Sequence, residues 1–353
     1  MATTRFGSPN PPVDELYGAL AAANVQPLWE LSDLLTSEPR PNTAPFRWKA
    51  VELWKLATRS GELVPVERGG DRRVLAMANP GLGGAPFIST TLWAAMQYLL
   101  PGETAPPHRH TPAALRFILD GEGVSTTVDG DPVAMARGDL ILTPSWTFHA
   151  HFNSGPSAMM WLDVLDLPLV GALEAIFFEP GRSRELHSGP QRSSAERRYG
   201  QGPGLVPAGQ DAPPSRPAHS PLTVYRWADT DTALDALLEV NGSNEATLRY
   251  TDPSRGSDVM PTLRCEMTRL LTETSSVSTR QAGSRVMAVL NGQGRVDIGA
   301  QTFSLDRGDV FVVPSWNTCR LHADADLDLF ACSDAPVLEA LSLFRSEVVG
   351  EMP

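Results

Sequence analysis

The amino-acid sequence predicts a mainly β protein built from two copies of one β-barrel unit, with a helical arm before them and a helix after them. Three observations lead to this prediction. From about residue 87, short apolar runs alternate with turn signals, which is typical of closely spaced strands. The same pattern returns later in the chain at an offset of 170 or 171 residues. Apolar residues follow helical spacing mainly near the two ends of the chain.

Composition sets the first limits on function. The chain has 353 residues, 42% hydrophobic and 20% charged, which is ordinary for a globular protein with a sizeable core. A net charge of −12 argues against nucleic acid or an anionic membrane as the main partner. The three cysteines form no CxxC pair, and no long apolar run is present. We therefore expect a soluble cytoplasmic protein that binds neither nucleic acid nor a membrane.

The predicted elements follow one another in five segments. Residues 1–86 form a helical arm with lead-in strands, because apolar residues are spaced helically in Asp14–Ala23 and Trp29–Leu35. Residues 87–170 form the first barrel, in which the Asp-Gly pairs at 120–121 and 129–130 favour hairpin turns. A segment rich in Pro, Gly, Ser and Arg then predicts a linker with connecting segments. The remaining boundaries are 171–260 for this linker, 261–335 for the second barrel and 336–353 for a C-terminal helix.

The two barrel copies align without gaps over their most specific stretches. RGDLILTPSW in the first copy matches RGDVFVVPSW in the second, and Gly121 aligns with Gly292. Two copies at such a long period indicate a duplicated domain and not a solenoid.

Four of the seven histidines lie in the first barrel copy. His108 and His110 are two residues apart in a predicted strand, so their side chains share one face. His149 follows two strands later, in a strand that can return beside the first. Three imidazoles converging in this way would bind a divalent metal ion.

The spacing of these histidines resembles the two sequence motifs of the cupins, in GETAPPHRH with the downstream Gly121 and in GDLILTPSWTFHAHFN. The resemblance implies a bicupin, with two double-stranded β-helix (jelly-roll) barrels. Cupins commonly add a Glu ligand after the HxH pair, where this chain has Ala114. A neutral three-histidine set leaves the choice among iron, zinc, copper and nickel open. In the second copy, Thr279, Gln281 and Cys319 stand at the ligand positions, so we expect no metal there.

At a finer level, the chain resembles the gentisate 1,2-dioxygenase family, which includes salicylate, 5-nitrosalicylate and 1-hydroxy-2-naphthoate dioxygenases. The most specific stretches are SGELVPVERGGDRRVLAMANPGLGG, APPHRHTPAALRFILDGEG, WLDVLDLPLV and DVMPTLRCEM. The resemblance implies an Fe(II) enzyme with one iron per chain. It would insert both atoms of O2 between the carboxyl-bearing and hydroxyl-bearing carbons of a salicylate- or gentisate-type acid, such as a 5-substituted salicylate like 5-nitrosalicylate. It also implies a homotetramer.

Several residues are candidates for substrate binding. Arg116 shares the parity of His108 and His110, and a guanidinium is well suited to pair with a carboxylate. Trp146 and Phe148 are predicted to form aromatic walls. The family resemblance adds three pocket positions, which are Arg72, Trp93 and Gln97.

His151 and Asp163 are candidates for proton handling. His151 lies two residues after His149, on the same face, and Asp163 is an acid in an apolar strand. A buried acid usually has a partner, so we expect the two to pair and to act as a relay or to hold the substrate oxygen.

Other functions compatible with the sequence are gentisate 1,2-dioxygenase proper, a metal-dependent isomerase or decarboxylase, a non-catalytic aromatic-acid binding protein and a storage-type bicupin. The missing carboxylate ligand argues against the isomerase, and the intact histidine triad argues against the storage protein.

Overall fold

The computed structural model describes residues 11–32, 34–65, 68, 73–181, 192–200, 202, 205–208 and 218–350. The chain divides into two compact units, Met1–Arg40 and Pro41–Pro353. No helix among these residues is long and apolar enough to cross a membrane.

The first unit contains one regular helix, α1 (Pro11–Ala22), and a 3₁₀ turn at Leu28–Glu30. Tyr17 joins them, because its hydroxyl donates to Glu30 at 2.7 Å and accepts from the Trp29 indole at 3.2 Å. The helix predicted over Asp14–Ala23 is confirmed. The helix predicted over Trp29–Leu35 is wrong beyond this single turn. The 3₁₀ turn buries none of its residues, and a short helix in water needs packing to persist.

The first barrel consists of two facing antiparallel sheets, of six and five strands. The six-stranded sheet has the order β12-β8-β5-β10-β3-β2 and the five-stranded sheet has the order β11-β4-β9-β6-β7. Their bounds are β2 (Val74–Ala76), β3 (Trp93–Leu99), β4 (Thr104–His110), β5 (Ala114–Asp120), β6 (Glu122–Val128), β7 (Asp131–Ala136), β8 (Leu140–Thr143), β9 (His149–Asn153), β10 (Met159–Leu165), β11 (Phe178–Pro180) and β12 (Val224–Tyr225).

The second barrel repeats this arrangement, with sheet orders β1-β19-β16-β21-β14-β13 and β18-β17-β20-β15-β22. Its strands are β1 (Phe46–Trp48), β13 (Glu245–Tyr250), β14 (Arg264–Leu270), β15 (Thr279–Gln281), β16 (Arg285–Asn291), β17 (Gly294–Ile298), β18 (Gln301–Leu305), β19 (Val310–Val313), β20 (Cys319–Ala323), β21 (Leu327–Ser333) and β22 (Ser346–Val348). The remaining helices are α2 (Ala50–Leu63), α3 (Leu167–Ala172), α4 (Ser194–Tyr199), α5 (Trp227–Asn241) and α6 (Ala335–Ala340).

The two barrels pack through their six-stranded sheets. One buried cluster contains side chains from both sheets, and within it the rings of Phe117 and Phe330 stack with 4.1 Å between centroids. Arg137 of the first barrel hydrogen-bonds Asn291 at 2.7 Å, and Arg307 of the second pairs with Asp120 at 2.9 Å. These four residues are equivalent pairs in the repeat, so the contact between the barrels is itself symmetric.

The segment predicted as a linker over 171–260 contributes strands to both barrels. β11 pairs with β4, β12 with β8 and β13 with β14, so the description of this segment as linker is wrong for these parts. Pro and Gly around the strands obscure their short apolar pattern. The linker residues 182–191, 201, 203–204 and 209–217 lie outside the described part.

The C-terminal helix predicted over 336–353 is also wrong in extent. Helix α6 ends at Ala340, and Ser342 adopts a left-handed φ of 59°. The amide of Leu343 then bonds the carbonyl of Leu338, which closes the helix as a Schellman motif. The chain leaves as β22 and pairs with β15, because that open edge offers backbone hydrogen bonds.

Candidate metal centre and active site

Three imidazoles converge inside the first barrel. His108 and His110 lie two residues apart on β4, and His149 opens β9 directly opposite His108 in the strand register. One ring nitrogen from each of the three lies within 4.8 Å of the others. Alternation along β4 and the pairing of β4 with β9 therefore bring the predicted triad together.

Backbone carbonyls fix the orientation of all three rings. The Nδ1 atoms of His108, His110 and His149 lie 2.9, 2.7 and 3.0 Å from the carbonyl oxygens of Pro106, Pro112 and Thr147. A carbonyl can only accept, so each Nδ1 carries the proton and each Nε2 keeps its lone pair. The Nε2 of His149 is buried with no hydrogen-bond partner among the described residues. A divalent metal ion fits this donor set, because it would take up these three lone pairs.

The electrostatics keep two of these ligands, His110 and His149, neutral. Burial, the largest cause, lowers the pKa of His110 to about 4. Burial also lowers the pKa of His149 well below its usual range, and the positive charge of Arg116 adds to the effect. Neutral imidazoles at physiological pH are the form that binds metal.

The triad opens into a cavity of about 170 Å³. Trp93 and Gln97 line it, as the sequence predicts, whereas Arg72 lies outside the described residues. The lining consists of Val74, Trp93, Gln97, Ala105, His108, His110, Ala114, Arg116, His149, His151, Asp163, Leu165 and Phe178.

Arg116 and Asp163 lie next to each other in the wall of this cavity. They occupy opposite positions on β5 and β10, with 3.4 Å between Nε and Oδ1, and both are at least 95% buried. Arg116 also hydrogen-bonds the hydroxyl of Thr143. Burial lowers the pKa of Arg116, and it raises the pKa of Asp163 to about 6 against the opposing effect of the guanidinium. The pair places a desolvated cation beside the metal ligands.

His151 has a different partner from the one the sequence predicts. Its Nδ1 lies 2.8 Å from the hydroxyl of Thr126, whereas Asp163 accepts from the Trp161 indole at 3.1 Å and faces Arg116. His151 and Asp163 thus have separate partners among the described residues, and the prediction that they pair with each other is wrong. The reason is that β9 and β10 belong to different sheets, which parity along a strand cannot reveal.

The aromatic wall also differs from the prediction. Trp146 is 38% exposed and lies outside the cavity lining, with the Arg109 guanidinium 4.4 Å from its ring and 4.5 Å from that of Phe148. Phe178 on β11 lines the cavity instead, and its ring lies 5.5 Å from that of His108. Sequence reasoning missed Phe178 because it falls in the stretch assigned to the linker.

A larger cavity of about 560 Å³ lies beside the first barrel, lined in part by Pro107, Phe148 and Gly181. The histidine in its lining is His149, whereas His108 and His110 do not line it. All three histidines line the smaller cavity, together with Arg116 and Asp163.

The second barrel conserves the geometry but not the ligands. Thr279 lies opposite Cys319, in the register that His108 and His149 occupy in the first barrel. His322, the histidine of this barrel, hydrogen-bonds Asp297 at 2.8 Å. Within the described ranges, the His108–His110–His149 group is the one cluster of three residues placed to hold a metal ion.

The chain is similar to known proteins in sequence and in fold. A family model described as "Cupin domain" matches residues 95–165. A gentisate 1,2-dioxygenase from Streptomyces sp is 46% identical over 344 residues, which cover 95% of this chain and 95% of the relative.

The chain is also similar to solved structures. The salicylate 1,2-dioxygenase of Pseudaminobacter salicylatoxidans is 45% identical, with a TM-score of 0.92 over 98% of this chain and 100% of that one. Adducts of the same enzyme with gentisate have a TM-score of 0.93 at 44% identity, covering 99% of this chain and 98% of that one.

Proposed function

This chain belongs to the family of gentisate and salicylate 1,2-dioxygenases, and we propose that it uses iron(II) to cleave a monocyclic salicylate-type acid, such as gentisate or a 5-substituted salicylate. The proposed cleavage lies between the carboxyl-bearing and hydroxyl-bearing ring carbons. The observation that carries the proposal is the joint presence of the three-histidine centre and the buried Arg116 in one small cavity.

The three-histidine centre suits a metal that must hold several ligands at once. His108, His110 and His149 would bind the ion through neutral Nε2 atoms, and the site has no carboxylate ligand, since Ala114 stands where many cupins have Glu. When bound, iron(II) would supply a centre that chelates the two neighbouring substrate oxygens and activates dioxygen. The backbone carbonyls at 106, 112 and 147 would keep the ligands aimed at the ion.

Arg116 is proposed to bind the substrate carboxylate. Its Nε is buried without a hydrogen-bond partner among the described residues, and Asp163 lies 3.4 Å away, which leaves the guanidinium only partly compensated. A carboxylate entering the cavity would supply the missing acceptor, and a planar guanidinium can hold it at two points. Gln97 and Trp93 would then contact the ring.

The size of the cavity supports a single-ring substrate. Its volume of about 170 Å³ is below the range of pockets that hold drug-sized ligands. Val74, Leu165 and Phe178 give it apolar walls, which would exclude water from around an aromatic ring. We therefore expect monocyclic acids to be preferred over fused-ring acids.

Oxygen uptake by the iron-loaded protein tests this proposal. The substrates are gentisate, salicylate, 5-nitrosalicylate, 5-aminosalicylate, 5-halosalicylates and 1-hydroxy-2-naphthoate. We expect uptake with at least one monocyclic acid and a lower kcat/KM with the naphthoate. His108→Ala should abolish uptake, whereas Thr279→Ala, at the equivalent position of the second barrel, should not. No uptake with any acid would refute the substrate class, and a preference for the naphthoate would refute the size argument.

The homotetramer expected from the family resemblance is a separate proposal about assembly. Light scattering coupled to size exclusion gives the mass in solution directly. Four chains of 38.1 kDa predict about 152 kDa, and a mass near that of one chain or two would contradict the tetramer.

A further inference from the structure

Thr126 is a fully buried polar residue beside the candidate active site. It lies on β6, directly opposite His151 of β9 in the strand register. Its Oγ1 is 2.8 Å from His151 Nδ1 and also 2.8 Å from the sulfur of Met135. The Thr126 hydroxyl therefore contacts both the imidazole of His151, which lines the cavity, and the thioether of Met135.

Proton counting assigns the tautomer of His151. The Thr126 hydroxyl has one proton, and the Met135 sulfur can only accept. If that proton pointed to Nδ1, the contact with the sulfur would place two lone pairs against each other at 2.8 Å. If it points to the sulfur, Nδ1–H donates to Oγ1 and both contacts become hydrogen bonds. Only the second arrangement satisfies every atom.

The other edge of the imidazole lines the cavity. With Nδ1 turned toward Thr126, Nε2 is the nitrogen left for the cavity, and in this tautomer it carries a lone pair.

We propose that Thr126 is a positioning residue that holds His151 in the Nδ1–H tautomer, so that Nε2 accepts a hydrogen bond from the substrate hydroxyl. The part that concerns the substrate rests on the proposed function. The part that concerns the tautomer does not depend on it. In this arrangement, His151 selects acids that carry a hydroxyl beside the carboxylate, while Arg116 binds the carboxylate itself.

The tautomer can be measured without turnover. Nitrogen-15 NMR of metal-free protein labelled at histidine distinguishes Nδ1–H from Nε2–H, and His151→Gln identifies the resonance. We expect Nδ1–H in the wild type and in Thr126→Ser, which keeps the hydroxyl. The isosteric Thr126→Val removes the acceptor, so we expect a change toward Nε2–H. An Nε2–H signal in the wild type, or an unchanged Nδ1–H signal in Thr126→Val, would overturn the assignment.

A matched pair of ligands tests the role in recognition. Benzoate has the carboxylate of salicylate but no hydroxyl, so its inhibition constant reports on the rest of the cavity. For the iron-loaded enzyme, we expect Thr126→Val to raise KM for the hydroxy acid by roughly three- to tenfold, the value of one neutral hydrogen bond. The benzoate constant and the iron content should not change, and Thr126→Ser should restore KM.

An equal loss for benzoate and the hydroxy acid would overturn the recognition role and leave Thr126 as a packing residue. If the enzyme turned over none of the hydroxybenzoates, the proposed function would fail while the NMR experiment still decided the tautomer. If Thr126→Val lost its NMR dispersion, this variant would be unfolded and Thr126→Ser would be used instead. A wild-type tautomer and KM in Thr126→Ser support the proposal, and a changed tautomer opposes it.

Discussion

Arg116 is the residue whose removal should separate substrate binding from metal binding. In Arg116→Gln the metal ligands are untouched, so the metal content should match the wild type. The substrate carboxylate would lose its charged partner in a dry cavity, which costs about 2–5 kcal/mol by analogy with buried pairs at interfaces. We therefore expect KM to rise by at least about thirtyfold, measured by oxygen uptake. Arg307→Gln, at the exposed ion pair with Asp120, is the control and should leave KM unchanged. An unchanged KM in Arg116→Gln would remove Arg116 from the binding site.

Asp163 provides a pH test of the same buried pair. Burial raises its pKa from 3.8 to about 6 in the folded protein, so the folded state holds a proton that the unfolded state releases. The free energy of unfolding that depends on this group is therefore largest below pH 4 and falls as pH rises toward 6. Asp163→Asn has no such dependence.

Urea unfolding of the two metal-free proteins should show this difference. We expect the stability of Asp163→Asn relative to wild type to increase by up to about 3 kcal/mol between pH 4 and pH 7. A constant difference across this range would mean that Asp163 is ionised throughout.

Strand β11 forms part of the cavity wall, and an ion pair adds to the backbone pairing that holds it to β4. Arg109 donates to Glu179 at 2.6 and 3.0 Å, and the adjacent Phe178 lines the cavity. In Glu179→Gln the strand loses this attachment but keeps its backbone pairing. Because the pair is partly exposed, we expect a modest rise in KM, of roughly two- to fivefold, with full metal content.

The second barrel supplies a matched control for β11. Arg280 forms an ion pair with Glu347, and its guanidinium lies 4.7 Å from the ring of Trp316. These contacts match those of Arg109, which forms an ion pair with Glu179 and lies over the ring of Trp146. Glu347→Gln removes an equivalent attachment far from the proposed site and should leave KM unchanged. Equal effects in the two variants would show that the change acts through stability and not through the cavity wall.

Elements differ in how far the sequence predicts them. The metal ligands are predictable because parity places His108 and His110 on one face of a strand, and because their spacing to His149 resembles the two cupin motifs. The partner of His151 is not, because a strand pattern does not tell which of two facing sheets the next strand joins. Strand β11 is also missed, because it is three residues long and takes its stability from pairing with β4.

In the whole molecule, two barrels share one fold, and the one three-histidine cluster of the described residues lies in the first barrel. The offset of 170 or 171 residues predicts the repeat, and the structure confirms a bicupin with Phe117 and Phe330 stacked between the barrels. Cys319 occupies the position of His149 and is 4% exposed. We expect Cys319→Ser to retain the wild-type metal content and turnover, measured by metal analysis and oxygen uptake. Loss of both would show that the second barrel takes part in the chemistry.

We propose that a single metal ion at His108, His110 and His149 supports the dioxygenase reaction. The test is to add iron(II) in anaerobic steps to metal-free protein and to measure the initial rate of oxygen uptake with the preferred hydroxybenzoate after each step. We expect the rate to rise linearly and to stop rising at about one iron per chain, because the described residues contain one ligand cluster. A break at two irons per chain, or a rate that does not respond to iron, would contradict the claim.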